Sequence, residues 1–143
     1  MEYRMFGDTC VLRLEPGEEL VQSIAAVCEA EHVRAGYVAS AVGALRSATV
    51  GLYDLGERCF LARALEKPLE LAALSGNIGR MAGEVYLHLH AVLADRDAAV
   101  YGGHLSEAVV SATAEIFLQF LPVDLGRRPD VETGLNLLAI PEC

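Results

Sequence analysis

Residues 84–104 read E-V-Y-L-H-L-H-A-V-L-A-D-R-D-A-A-V-Y-G-G-H, and the first half alternates with the period of two that belongs to a β-strand. An amphipathic helix needs a period of about 3.6, so this stretch commits the chain to sheet. Asp95-Arg96-Asp97 breaks the alternation with turn-forming residues, and a second apolar run over 98–101 follows. The pattern predicts a hairpin. His88 and His90 are two apart and share one face of its first strand. With the turn centred on Arg96, His104 is expected opposite His88 and Gly102 opposite His90, with opposed Cβ atoms about 4.5–5.5 Å apart. Three imidazoles then form a triangle on one face of two strands, and Gly102 leaves room above His90.

Neutral imidazole is the commonest metal ligand in proteins, and three histidines with an open fourth position form the donor set of catalytic zinc sites. His88, His90 and His104 are therefore the candidate ligands of a divalent metal, with zinc the first choice; copper, iron and nickel suit imidazole as well. The competing reading makes the H-x-H pair a polar strand face without a metal.

The rest of the chain supplies further strands and one helix. Alternation predicts a strand over about 10–14, and Glu15-Pro16-Gly17 ends it. Leu20, Ile24, Val27 and Cys28 then recur at helical spacing over 18–31, with acidic residues in the first turn where the helix dipole favours them. His32 is expected at the helix C-terminus, where a cation complements that dipole. Small and apolar residues predict a closely packed strand over 35–44, and further strands are expected over 45–53, 59–65 and 69–74. Asn77, Gly79, Arg80 and Gly83 read as a loop leading into the histidine hairpin. Residues 121–130 read as a polar connector, and 134–140 as a last strand.

Over 106–120 the even positions Val110, Ala112, Ala114, Ile116, Leu118 and Phe120 are all apolar, while the odd positions are mixed. That is a strand with one core face and one half-polar face. Glu115 lies on the half-polar face. A carboxylate in so apolar a strand takes a metal, an imidazole N–H or an arginine as partner, or else it is solvated on an edge. The class expected from these elements is α+β, a mainly antiparallel sheet of about seven or eight strands with one principal helix.

At 143 residues and 53% hydrophobic, the sequence suits one domain spanning 1–143. No run reaches the ~18 uninterrupted apolar residues of a membrane helix, and the N-terminus lacks a signal-peptide core, so a cytoplasmic location is expected. Cys10, Cys28, Cys59 and Cys143 form no C-x-x-C pair, which argues against a zinc ribbon or a thioredoxin-type motif and leaves them as buried apolar residues or bystanders. Lys and Arg total 11 against 20 Asp and Glu, a formal net charge of −9. Such a surface repels phosphate backbones, so direct DNA binding is disfavoured.

G-E-E-L at 17–20, A-V-G-A-L at 41–45, L-S-G-N-I at 74–78, H-L-H at 88–90, G-G-H-L at 102–105 and T-A-E-I at 113–116 together resemble the PPC (plants and prokaryotes conserved) domain. The similarity runs over residues 3–138. The resemblance implies strands wrapped into a barrel-like sheet around the helix, a homotrimer in prokaryotic members, and in some members a metal bound by histidines. In plants the domain is joined to AT-hooks that bind DNA while the domain associates proteins. This sequence contains no AT-hook, and the DNA-binding label of free-standing bacterial relatives is inherited from the plant fusions. A mean hydropathy of +0.34 suits an oligomer that hides apolar surface.

The expected function is thus a trimeric metal-binding domain that acts on or senses a small molecule. Glu115 is the candidate general base or second-layer partner of the histidines, with Asn77 and Thr113 near the pocket. The alternative is a non-catalytic assembly or regulatory module.

Overall fold

The computed structural model describes residues 1–140, so Cys143 lies outside the described residues. In chain order the elements are β1 (Glu2–Phe6), β2 (Thr9–Leu14), α1 (Leu20–Ala30), β3 (Gly36–Asp54), β4 (Cys59–Leu65), β5 (Leu69–Met81), β6 (Glu84–Ala94), β7 (Val100–Phe120), β8 (Gly126–Pro129) and β9 (Asn136–Ala139). The class is α+β as expected, with nine strands in one sheet. Two of them, β1 and β8, lie outside the expected strands; β8 falls in the stretch that reads as a polar connector and pairs with β9.

Several predicted segments merge into long strands. The strands expected over 35–44 and 45–53 are one continuous β3 of 19 residues. The loop expected around Asn77, Gly79 and Arg80 is the second half of β5, and the connection to β6 shrinks to Ala82-Gly83. Both residues have positive φ, +52° and +91°, as a two-residue hairpin turn of primed type requires. Glycine-rich sequence was a poor guide here because a strand with bulges and close neighbours also selects glycine.

The pairing closes on itself. β3 pairs with β7 and β5, and β6 pairs with β5 and β7, all antiparallel, so β3-β7-β6-β5 forms a ring. Register shifts along the β3–β7 ladder, including one between Gly43 and Leu45, supply the bends that closure needs. Leu45, Leu71, Ile78, Leu89, Leu93, Ile116 and Leu118 are buried within the sheet, and Leu20, Ile24, Val27 and Cys28 of α1 are buried with them. Each such Leu or Ile contributes about 1.5–3 kcal/mol through removal of its side chain from water.

The helix is tied to the sheet at its N-cap. It begins at Leu20, so Glu18 and Glu19 precede the first turn rather than occupy it. Glu19 is the N-cap, and its carboxylate accepts from the Gln22 N–H at 2.6 Å and from the Ala108 N–H of β7 at 2.7 Å. His32 at the other end has φ +53°, with the His32 N–H on the Glu29 carbonyl at 3.1 Å and the Val33 N–H on the Cys28 carbonyl at 2.9 Å. This is a Schellman closure, in which His32 acts through its left-handed backbone and lies outside the last helical turn. Cys10 and Cys28 are buried, and desolvation raises their thiols to about 11 and about 12; Cys59 is exposed. No helix among the described residues is long and apolar enough to cross a membrane.

Candidate metal centre

Alternation along β6 decides which way the histidines point. Leu89, Ala91 and Leu93 are buried in the core, so His88 and His90 project from the opposite face. The hairpin with β7 exists, but its register differs from the one expected. His104 pairs with His90, and Gly102 pairs with Val92. The cause is Asp95. Its Oδ1 accepts from the Asp97 and Ala99 N–H groups, both at 3.0 Å, its own N–H donates to the Ala99 carbonyl at 3.0 Å, and Ala98 takes φ +57°. This aspartate turn occupies 95–99, so the first ladder pair is Ala94 with Val100. The slip amounts to two residues, which keeps every side chain on its own face, whereas a slip of one would have inverted them all.

The triangle therefore survives with different partners. His88 Nε2 and His90 Nε2 are 3.2 Å apart. Two nitrogens bound at about 2.0–2.1 Å to a tetrahedral zinc ion are roughly 3.4 Å from each other. One ring nitrogen from each of His88, His90 and His104 falls within 4.8 Å of the others, and the ring centroids are 5.1 to 5.6 Å apart. His104 Nδ1 is buried without a hydrogen-bond partner. Desolvation lowers the His88 pKa, with the charges of Arg127, His90 and His104 adding to it; desolvation and His90 lower that of His104. Both shifts favour the neutral imidazole, the form that binds a metal, and the three residues could hold one metal ion.

Gly103 matters to this placement. Its φ is +149°, and a Cβ there would lie 2.4 Å from the Gly51 carbonyl oxygen of β3. Only glycine lets β7 come this close just before His104 turns its ring to the site.

The histidines open into a cavity of about 490 Å³. Leu52, Phe60 and Leu138 give it apolar walls, and the Phe60 ring lies 4.7 Å from that of His104. Asn77, expected near the site, stands opposite His88 on β5 and lines the cavity. Arg127 of β8, which the sequence reading passes over, lines it too. Its Nη1 donates to the Asn136 carbonyl at 2.6 Å, its Nη2 donates to Asn77 Oδ1, and the guanidinium lies 4.6 Å from the centroid of the Tyr86 ring. The pairing of Gly126 with Arg80 of β5 is what carries Arg127 to the pocket. A sequence signal existed in G-R-R-P followed by an apolar run, a short hairpin pattern around residues 130–134.

Two candidates stay away from the cavity. Glu115 is exposed on β7, opposite Arg13 of β2 and Val42 of β3. Thr113 donates from Oγ1 to the Leu14 carbonyl at 3.1 Å. Neither lines the cavity.

Comparisons with known proteins show what the chain is similar to. Residues 1–122 match the model of the Plants and Prokaryotes Conserved (PCC) domain. A metal-containing protein from Archaeoglobus fulgidus is 35% identical, with 97% of each chain covered and a TM-score of 0.85. A Ralstonia eutropha JMP134 protein with a provisional DNA-binding label is 25% identical, with 97% of this chain and 96% of that one covered and a TM-score of 0.90. The bifunctional protein GlmU of Synechococcus sp. (strain JA-3-3Ab) is 38% identical over 125 residues, 86% of this chain and 19% of that protein. The chain thus spans about a fifth of the length of the curated relatives it matches.

Proposed function

The chain belongs to the Plants and Prokaryotes Conserved domain family, and on that premise we propose that His88, His90 and His104 hold one divalent ion, zinc, beside a pocket that takes a small molecule. The observation that carries this reading is the pair of Nε2 atoms at 3.2 Å with a third imidazole in reach, its Nδ1 buried and unpartnered. The likeness to a metal-containing archaeal protein supports it. When bound, such an ion supplies Lewis acidity towards a carbonyl or similar group.

The chain's own residues do the rest. Phe60, Leu52 and Leu138 exclude water from one side of the cavity, which strengthens polar interactions inside it. Asn77 fixes Arg127 next to His88. Among the described residues the protonatable groups that line the cavity, Arg127 aside, are the three imidazoles and the phenols of Tyr53 and Tyr86.

The proposal includes a homotrimer. Val42, Val92 and Phe117 are large apolar residues left exposed on strands of the ring, and burial between copies would remove them from water. Direct DNA binding is left out, because a net charge of −9 opposes a phosphate backbone.

Elemental analysis of purified protein tests the metal. About one zinc per chain is expected, lost in His88→Ala; protein that stays metal-free after zinc supplementation contradicts the reading. If zinc is present and its removal changes only thermal stability, with no small molecule bound in either state, the assembly-module alternative takes its place. Light scattering on the eluted protein tests the trimer.

A further inference from the structure

Among the described residues no Asp or Glu lines the cavity beside the histidines, although the chain is acidic overall, and the one cationic side chain among the described lining residues is Arg127. A guanidinium carries five N–H groups. Arg127 directs two of them at neutral acceptors, the Asn136 carbonyl and Asn77 Oδ1, and its Nε is buried without any partner. Among the described residues it forms no ion pair with a carboxylate. Burying a charge is costly unless an opposite charge and hydrogen bonds compensate it. Desolvation accordingly lowers its pKa. Imidazole binds a metal as the neutral ring, so a divalent ion at the site would add positive charge that no described residue of the lining cancels.

This excess of positive charge is held in a fixed geometry. Tyr86 stacks on the guanidinium at 4.6 Å, and Asn77 and Asn136 set its plane. A planar fork so held matches a carboxylate group in two parallel hydrogen bonds. The walls around it are Leu52, Phe60, Leu135 and Leu138. A single guanidinium among such walls suits one carboxylate on an apolar body, whereas a polyphosphate would call for several cations.

Resting on the pocket reading above, we propose that Arg127 is the carboxylate-binding residue of the site and that the ligand class is small monocarboxylates with an apolar body. The arginine anchors the carboxylate, Asn77 and Tyr86 position the arginine, and the apolar walls take the hydrocarbon. The rest of the ligand then lies towards the histidines.

Isothermal titration of zinc-loaded full-length protein with isovalerate and phenylacetate, each against its alcohol analogue, isoamyl alcohol and phenylethanol, tests this. At least one carboxylate should bind about tenfold or more tightly than its alcohol, and Arg127→Gln should remove that preference while zinc content stays unchanged. If Arg127→Gln fails to fold, the Arg127 Nε–H resonance of the wild type is followed instead, and it should move with the carboxylate and not with the alcohol. Carboxylates that bind no better than alcohols, a preference that persists in Arg127→Gln, or an unmoved Nε–H resonance overturns the proposal. The two readings fail separately. Zinc-loaded protein indifferent to carboxylates removes the role of Arg127 and leaves the metal site; zinc-free protein that still prefers carboxylates through Arg127 removes the metal and leaves the carboxylate site.

Discussion

His104 and Glu115 stand towards opposite ends of β7, both on outward faces, and only His104 lines the cavity. At the His104 end the strand runs between β3 and β6, with Gly51 on one side and His90 on the other, and Phe60 of β4 lies over the imidazole. At the Glu115 end it runs between β2 and β3, where Arg13 stands opposite and the carboxylate stays exposed. A polar residue on an outward strand face becomes part of a site where another element covers it. Without such cover it remains solvated.

The largest effect expected from this contrast is at His104 itself. His104→Ala should weaken zinc binding by at least about 100-fold, since loss of a mere outer partner of a metal ligand already costs about 10–100-fold. Competition against a chromophoric chelator reads it. Gly103→Ala comes next, because its Cβ would meet the Gly51 carbonyl at 2.4 Å in a backbone conformation that only glycine holds easily. Urea unfolding should show a loss of about 2 kcal/mol, and zinc affinity should fall with it as His104 is displaced.

A smaller effect is expected at Asp95, whose turn sets the register of His104 against His90. Its carboxylate is held at about 2, first by Lys67 and then by the Ala99 N–H, the Tyr101 hydroxyl and the Asp97 N–H. The folded value lies below the unfolded one of about 3.9, so the contribution to stability is complete above that value and is lost as pH falls towards about 2. Asp95→Asn should therefore lower the urea midpoint at neutral pH and flatten its acid limb against pH. Glu115→Gln is the least effect of all: zinc affinity and stability within about twofold and ~0.5 kcal/mol of wild type. A large loss of zinc binding in that variant would break the contrast between the two ends.

The contrast also marks what the sequence conveyed. Period-two patterning told which residues share a face, and it held for His88 with His90 and for most of the apolar row from Val110 to Leu118, Ala112 being exposed. The presence of the hairpin was legible from Asp95-Arg96-Asp97. Its register was not, because the hydrogen bonds of Asp95 add residues to the turn that the letters alone do not count. Glu115 was drawn towards the histidines by residue type, while its neighbours are fixed by non-local pairing of β7 with β2. Buried parity also changes along β7, from Leu105 to Ala108, at a register shift between Thr49 and Val50 of the partner strand. Arg127 escaped notice for the same reason: between Pro122 and Pro129 it looks like linker, and it reaches the pocket through a pairing with β5 far along the chain.

The most direct measurement of the central claim is zinc K-edge X-ray absorption of the purified wild-type protein. The account predicts three imidazole nitrogens at about 2.0–2.1 Å with the outer-shell scattering of histidine rings. A spectrum with sulfur scatterers, or with at most one imidazole in an oxygen shell, would contradict a metal centre at His88, His90 and His104.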